Sequence, residues 1–316
     1  MKRNPSLTIT GIAVFVLMAI LLTYPAKCLI YSLYGLQLWF EKMIPALFPF
    51  MILSGIMIRL NLAEPFARLL SPVLAPVFRV RSICLYVMVI SFLCGFPMGA
   101  QSTALLYERK QITKAEATYL LAFCNNIGPV YFLSFVLPTL ELSVSVFLLF
   151  GVYGLPLLYG CILRHTYFRT CLPATPIISK DTWVKQPPSL LVALDESIWT
   201  ALGSIAKLGG YMIFFNLLFV IPELILQITP NNSPNQIQIL RGMCGCLLEI
   251  TGGIGLLGSK APWFVLCILP FGGLSCMAQT YSMIRSTDLS LAAYLIHKII
   301  LTFITFSFYL FVRVLN

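Results

Sequence analysis

Charged residues are what this sequence has fewest of. They make up 10% of its 316 residues, and only 11 of them are Asp or Glu. Hydrophobic residues account for 59% of the chain, and apolar runs recur along its whole length. A soluble domain does not need so much apolar surface, whereas a run of about 20 apolar residues spans a bilayer as a helix. The composition therefore excludes a soluble globular protein and predicts an all-α, polytopic integral membrane protein.

Histidine is also scarce, and the cysteines form no framework. The chain has two histidines and 10 cysteines, with no CxxC motif and no HExxH motif. Structural zinc needs closely spaced Cys and His ligands, and a disulfide-rich fold needs regularly spaced Cys. We expect no metal site, no cofactor and no enzymatic activity. The stretch from Gly273 to Cys276 resembles the serine loop of rhomboid proteases, but it lacks their glycine after the serine.

Basic residues outnumber acidic ones and give a formal net charge of +10. They lie in short segments between apolar runs, where the positive-inside rule places them. No aromatic and basic residues alternate on a polar segment, so we expect a lipid bilayer and no nucleic acid as partner. Counting spans from a cytoplasmic N-terminus puts Lys114 and Lys260 inside, Arg241 and Arg285 outside, and both termini in the cytoplasm.

The apolar runs predict about 8–10 transmembrane elements within a single membrane domain over residues 1–316. A run at 62–80 is weaker than the rest because it contains Arg68 and three prolines. The longest polar segment, 164–196, contains four prolines and is predicted to be a connector. The stronger runs cover residues 8–24, 43–58, 82–107, 115–137, 142–163, 198–220, 237–257, 262–284 and 289–314.

Two parts of the chain carry matching residues in the same order. Trp39 matches Trp199, and Gly95 matches Gly272. An odd number of elements separates the matches, so the second copy enters the membrane from the opposite side, as in many secondary transporters. The predicted organisation is a first span at 1–35, repeat one at 36–141, a linking span and cytoplasmic connector at 142–197, and inverted repeat two at 198–316.

Each repeat contains glycine, proline and small polar residues inside an apolar stretch. Such runs break membrane helices, and a broken helix is tolerated only where protein or a water-filled cavity satisfies the freed backbone groups. Close packing between helices also explains glycines. The adjacent polar side chains favour a solute-binding site between the repeats. The candidate residues are Gly95, Pro97, Gly99, Gln101 and Ser102 in repeat one, and Gly272, Gly273, Ser275 and Gln279 in repeat two.

Other polar residues interrupt apolar runs elsewhere. Asn125 and Asn126 either bond across helices or ligate a solute or ion. Glu249, close to Thr251, is the one acidic residue well inside an apolar run, where carboxylates are usually functional. Lys207 either pairs with Glu249 or meets an anionic substrate while Glu249 binds a coupling ion, sodium or a proton.

A histidine and a lysine lie side by side near the start of the last apolar run. His297 and Lys298 are one turn into that run. They either reach the membrane interface or contribute to the site.

Four ordered motifs resemble the YlbJ (SpoVV) family of sporulation integral membrane proteins. The resemblance runs from about residue 36 to the end of the chain. It implies the nucleoside-recognition "Gate" repeat, similarity to concentrative nucleoside transporters, and paired hairpins around a central site. It also implies movement of dipicolinic acid from the mother cell toward the developing spore. The motifs are Gly95 to Ala100, Phe123 to Pro129, Glu249 to Ile254, and Gly272 to Gln279.

We therefore expect a transporter for a small organic anion, with dipicolinic acid as the candidate substrate. The expected location is the mother-cell membrane around the forespore, as a multi-pass protein that can form homo-oligomers. A nucleoside permease on the same scaffold is one alternative. Nucleoside specificity is less favoured because Gln101, Ser102 and Thr103 lack the acid of the Gln-Thr-Glu hairpin of nucleoside transporters. A scaffold for spore-envelope assembly that carries no solute is another.

Overall fold

The computed structural model describes residues 5–172, 187–228 and 233–315. It is 82% helical, and no strand occurs in these ranges, which confirms the all-α prediction. Residues 173–186 of the predicted connector lie outside the described ranges. The helices, numbered in chain order, are α1 Pro5–Thr23, α2 Pro25–Arg59, α3 Ala63–Phe78, α4 Ser82–Cys94, α5 Met98–Glu108, α6 Lys114–Phe123, α7 Pro129–Thr139, α8 Val146–His165, α9 Leu190–Leu217, α10 Val220–Ile228, α11 Pro234–Leu248, α12 Ile250–Leu257, α13 Pro262–Ile268, α14 Gly273–Ile284 and α15 Leu291–Leu315.

Five helical segments of the described chain are long and apolar enough to span a membrane. This confirms a polytopic membrane protein in a lipid bilayer. The count is lower than the predicted 8–10 elements because several apolar runs are divided into shorter helices. The five segments are Pro25–Arg59, Val146–His165, Leu190–Gln227, Pro262–Ile284 and Leu291–Val314.

The helices follow the same order twice. Each half has a long helix, a short helix, two helices joined by a tight turn, a helix pair separated by a break, and a final span. The first half runs through α2, α3, α4–α5, α6–α7 and α8, and the second through α9, α10, α11–α12, α13–α14 and α15. The observed halves therefore begin at α2 and α9. In this order the turn at Gly95 corresponds to the turn at Glu249, and not to Gly272 as the sequence comparison predicted.

Two of the predicted spans are in fact hairpins. Arg81, just before α4, forms an ion pair with Glu116 in the first turn of α6, so the start of α4 and the segment that follows α5 lie at the same end of the bundle. In α11–α12, Gln238 accepts a hydrogen bond from Lys260, and Gly242 packs against Leu257. The predicted spans at 82–107 and 237–257 are therefore wrong. Each turns back inside the protein, where the turn packs against a helix break of the same half.

Contacts between loops define the two ends of the bundle. Arg59 Nε lies 3.0 Å from Glu196 Oε2, and Arg164 Nε donates to Arg79 O at 3.0 Å. We call this end, to which Arg81 also belongs, the basic face. At the opposite end, Lys27 Nζ lies 3.0 Å from Glu223 Oε1. Helix α2 runs toward the basic face and α9 runs away from it, so the two halves are oriented in opposite directions.

The predicted alternation of loops across the membrane is wrong at one point. Lys114 Nζ lies 2.8 Å from Asp288 Oδ2, and Tyr107 OH donates to Asp288 Oδ1 at 2.8 Å. These bonds lower the pKa of the Asp288 carboxyl, with the bond from Lys114 as the largest cause. Lys114 and Arg285 therefore lie on the same face, although the count had separated them. The error follows from treating two hairpins as spans, since each hairpin returns the chain to the face where it began.

The long helices α2 and α9 pack closely and support both hairpins. Trp39 Nε1 donates to Ile205 O at 2.9 Å, and its ring lies over Gly209, where a Cβ atom would be 2.5 Å away. A Cβ on Gly35 would be 2.9 Å from Met212 O. Small residues at such positions let membrane helices approach closely. The pair forms a frame against which the hairpin tips are held.

The arrangement predicts which residues share a membrane face. Single cysteines at Lys114 and Arg285 should react with an impermeant maleimide from the same side of the membrane, and a cysteine at Arg313 from the other side. The reason is that α15 starts beside Asp288 and crosses the bundle. Labelling in sealed right-side-out and inverted vesicles measures this. A variant that keeps only the exposed native Cys171, on the loop after α8, serves as control for the basic face. Labelling of positions 114 and 285 from opposite sides would contradict the fold.

Candidate functional site

Two hairpin tips and two helix breaks meet inside the bundle. In the first half, the tip at Gly95 packs on the break at Gly128: a Cβ on Gly95 would be 2.2 Å from Gly128 N. In the second half, a Cβ on Gly273 would be 3.0 Å from Cys246 O in the hairpin α11–α12. The two halves also touch, since a Cβ on Gly272 would be 3.1 Å from the ring of Phe96. The breaks predicted at Gly95 and Gly272 are therefore present and adjacent.

Glycine is required at these turns for conformational as well as steric reasons. Gly95 has φ 81° and Gly273 has φ 80°, a region that L side chains rarely adopt. Helix α4 ends at Cys94 and α5 begins after Pro97, whose ring cannot continue the preceding helix. The sequence therefore imposes the turn, and the close approach of the two backbones fixes where it packs.

A small void lies where the tips and breaks meet. It encloses about 50 Å³ and is lined by residues from both halves. Its polar lining comes mainly from Glu249, Thr251 and Gln279, and Phe96 and Tyr131 form part of its apolar wall. Tyr131 OH donates to Thr251 Oγ1 at 3.2 Å and so connects the first half to the second. Among the described residues, no group of three His, Cys, Asp or Glu side chains is arranged to hold a metal ion.

Glu249 forms the tip of the second hairpin. It has an extended backbone between α11 and α12, and its carboxylate accepts hydrogen bonds from Thr251 N at 3.1 Å and Gly252 N at 2.6 Å. Asn216 Nδ2 donates to the same carboxylate at 3.1 Å. Glu249 is 2% exposed. It therefore acts as the N-cap of α12, which explains how a carboxylate is held at this depth.

The two adjacent asparagines hold the first break together. Asn125 Nδ2 donates to Thr280 Oγ1 at 3.1 Å and to Tyr294 OH at 3.0 Å. Asn126 Nδ2 donates to Phe123 O at 2.6 Å, and Asn126 Oδ1 accepts from Lys298 Nζ at 2.8 Å. The amides thus bond across helices, which was one of the two explanations that the sequence left open.

The other predicted residues of the breaks lie around this centre. Gln101 Nε2 donates to Ser204 Oγ of α9 at 3.0 Å, and Gln101 Oε1 is buried without a partner. Ser275 Oγ accepts from Gln279 Nε2 at 3.0 Å. Gly99 lies against Asn125, where a Cβ would be 3.0 Å from the amide oxygen. Ser102 is buried in α5 but does not line the void.

Lys207 is not part of the site. It lies on the exposed face of α9, whereas its neighbours Ser204 and Leu208 are buried. Glu249 is buried on the inner side of the bundle with other partners, so the predicted Lys207–Glu249 pair is absent. The prediction that Lys207 meets a bound anion at this site is contradicted for the same reason. Helical phase explains the difference, because the buried positions of α9 recur at intervals of three and four residues.

Several residues of the site were not among the predicted ones. Phe96 and Tyr131 line the void, and Asn216 bonds Glu249. Lys298, which the sequence assigned either to the interface or to the site, is fully buried beside the first break. Its position in the last apolar run was an ambiguous signal, since a lysine near the start of a span can also reach the interface. Nothing in the local sequence distinguishes the two aromatic residues from others in the spans.

The chain is similar to a known integral membrane protein. Over 320 aligned positions the chain is 26% identical to the sporulation integral membrane protein YlbJ of Bacillus subtilis (strain 168), covering 90% of this chain and 77% of that protein. No family model matches the chain. No solved structure matches it either. The similarity supports a YlbJ-like, multi-pass membrane protein.

The capping role of Glu249 gives a prediction about stability. Glu249→Ala should lower the free energy of unfolding by about 1–3 kcal/mol, because two backbone N–H groups and the Asn216 amide lose their acceptor inside the bundle. Glu249→Asp, which keeps a carboxylate at the N-cap, should lose less. Thermal unfolding of the purified protein in detergent measures both, with the exposed Glu141→Ala as control. Equal melting temperatures for Glu249→Ala and the control would contradict the capping role.

Proposed function

We propose that this protein transports a small organic anion across the membrane, with dipicolinate as the candidate substrate. The observation that carries the proposal is the meeting of two hairpin tips and two helix breaks, from halves of opposite orientation, around a mainly apolar void that also has polar groups in its wall. Broken helices at mid-bilayer are where secondary transporters bind their substrates. The similarity to a sporulation integral membrane protein supports a solute of the sporulation process.

The charges around the site favour an anionic substrate, even though Lys207 is not part of the site. Helices α5, α7, α12 and α14 all begin at the tips and breaks. A helix N-terminus carries a partial positive charge, and Glu249 neutralises only that of α12. Lys298 adds a full positive charge behind Phe96, with its Nζ 4.8 Å from the ring centroid. Together these groups favour a carboxylate over a neutral solute.

The void between the tips and breaks is small, about 50 Å³. Binding of an organic anion between the two halves is proposed to involve separation of the tips. The polar contacts that join the two halves here include the bonds Tyr131–Thr251 and Gln101–Ser204 and those of Asn125 and Asn126 with the second half, and they must rearrange when the tips separate. Alternating access then consists of movement of the hairpins against the α2–α9 frame.

The distribution of charge supports an orientation in the membrane. The basic face carries more Lys and Arg than the opposite face, which the positive-inside rule assigns to the cytoplasm. In this orientation α15 ends outside the cytoplasm, in contrast to the cytoplasmic C-terminus that the sequence predicted. A mother-cell membrane location would make the direction of transport outward, toward the spore. The described basic residues that we assign to an end of the bundle are Arg59, Arg79, Arg81, Arg109, Lys110, Lys114, Arg164, Arg169 and Arg285 on the basic face, and Lys27, Arg241, Lys260 and Arg313 on the opposite face.

The contacts of the nucleophilic and basic side chains support transport rather than catalysis. Ser275 Oγ is bonded to Gln279. His297 Nδ1 lies 2.7 Å from Tyr159 OH, so it is engaged with a different partner. A serine without a base in contact is a poor nucleophile.

Charges on the outer surface support self-association. Glu41 and Lys42 are exposed near the middle of α2, and Lys207 is exposed at the same depth on α9. A charge facing lipid at the bilayer centre costs roughly 3 kcal/mol. The three residues carry both signs, so a second copy of the chain can cover them with opposite charges. We propose a homo-oligomer whose subunits meet along this face of α2 and α9.

The transport proposal is tested in proteoliposomes. The purified protein should carry labelled dipicolinate, and Gln279→Leu and Thr251→Val should reduce the rate about tenfold or more, because each removes a polar group from the void. Ser307→Ala, which removes an exposed hydroxyl from α15, is the matched control and should keep the rate.

Other outcomes of this assay decide against the proposal. Flux of uridine without flux of dipicolinate would indicate a nucleoside permease on the same scaffold. A well-folded protein that carries neither solute would favour a scaffold for envelope assembly.

The oligomer proposal is tested by charge reversal. Glu41→Lys leaves three like charges on the proposed contact face and should dissociate the oligomer in mild detergent. Adding Lys207→Glu should restore it, because the face again carries both signs. Light scattering after size-exclusion chromatography measures the mass, with Lys110→Glu on the basic face as control. A monomeric wild-type protein in a native-lipid nanodisc would contradict the proposal.

A further inference from the structure

Within the described ranges, Lys298 is the basic side chain that contacts the first helix break. It lies on α15, and its exposed fraction is 0%. Its Nζ donates to the backbone oxygen of Asn125 and, at 2.8 Å, to Asn126 Oδ1. The ring centroids of Phe96 and Tyr294 lie 4.8 Å and 5.6 Å from the same nitrogen. The ammonium group is thus surrounded by two oxygens and two aromatic faces.

These partners are typical of a bound cation. Backbone carbonyls freed by an unwound helix, together with amide oxygens, coordinate the coupling cation in many transporters. Aromatic faces attract cations as well. Within the described part of the chain, none of the ion pairs includes Lys298. The positive charge is therefore balanced by dipoles of the break rather than by an acidic residue.

We propose that the ammonium group of Lys298 takes the place of a coupling sodium ion at the first break, so that this protein closes around its substrate without binding sodium. The proposal rests on the transport function and names its cation requirement. The freed carbonyl at Asn125 needs a positive partner inside the bundle. A covalently attached amine that donates to this carbonyl supplies one, and no ion has to be captured in each cycle.

A purely structural lysine would hold the same oxygens but would not be replaceable by a free ion. The distinguishing test is rescue. Lys298→Ala removes the charge and leaves space beside Asn125 and Asn126, whereas Lys298→Met removes the charge but fills the space. A soluble cation should occupy the site in the first variant and not in the second.

The experiment measures thermal unfolding of the purified full-length protein in detergent, without substrate. Melting temperatures are compared in sodium, potassium, methylammonium and choline chlorides at equal ionic strength. Wild type should melt at one temperature in all four salts. Lys298→Ala should melt lower in choline and recover in sodium or methylammonium, and Lys298→Met should melt lower without recovery.

Two results would overturn the inference. One is a Lys298→Ala variant whose melting temperature does not depend on the cation. The other is a wild-type protein that sodium stabilises, or whose solute flux in proteoliposomes stops when choline replaces sodium. The wild-type measurements decide the matter even where Lys298→Ala does not fold. The melting experiment needs no substrate. It therefore tests the role of Lys298 even if dipicolinate is not transported.

Discussion

The constraint on which this fold depends is that backbone polar groups freed inside a bilayer must find partners within the protein. Four places release such groups, and the structure places them against one another in two pairs. The tip at Gly95 lies on the break at Gly128, and the break at Gly273 lies on the tip at Glu249. Each member of a pair covers backbone groups that the other exposes. The hairpin and the broken helix therefore form one unit in each half.

Two charged side chains inside the bundle, Glu249 and Lys298, also find their partners within the protein. Glu249 is bonded by backbone N–H groups at a helix start, and Lys298 by a backbone carbonyl at a helix break. Each charge is matched by dipoles of the backbone that the break itself exposes. The sequence suggested a salt bridge between a buried acid and a buried base. The structure instead stabilises each charge separately, with different partners.

The sequence indicated the places of the breaks but not what the chain does after them. Glycine, proline and polar residues at Gly95 and Gly272 predicted interrupted helices, and both interruptions occur. Whether an interrupted helix continues across the membrane or turns back is decided by contacts between distant residues, such as Arg81 with Glu116. A local pattern does not contain this information. The position of Lys207 was predictable in principle, since the buried residues of α9 follow a helical period that excludes it.

The observed order of elements also changes which residues of the two halves are equivalent. The first tip, with Pro97, carries no charge, whereas the equivalent tip carries Glu249. The first break contains two amides and receives Lys298, whereas the equivalent break contains Gly272 and Gly273. One half thus contributes its acid at the tip, and the other receives its base at the break. A site between equivalent halves of opposite orientation would be symmetric by default. This distribution places an acid in the wall of the void and a base behind Phe96, so the two halves are not chemically equivalent there.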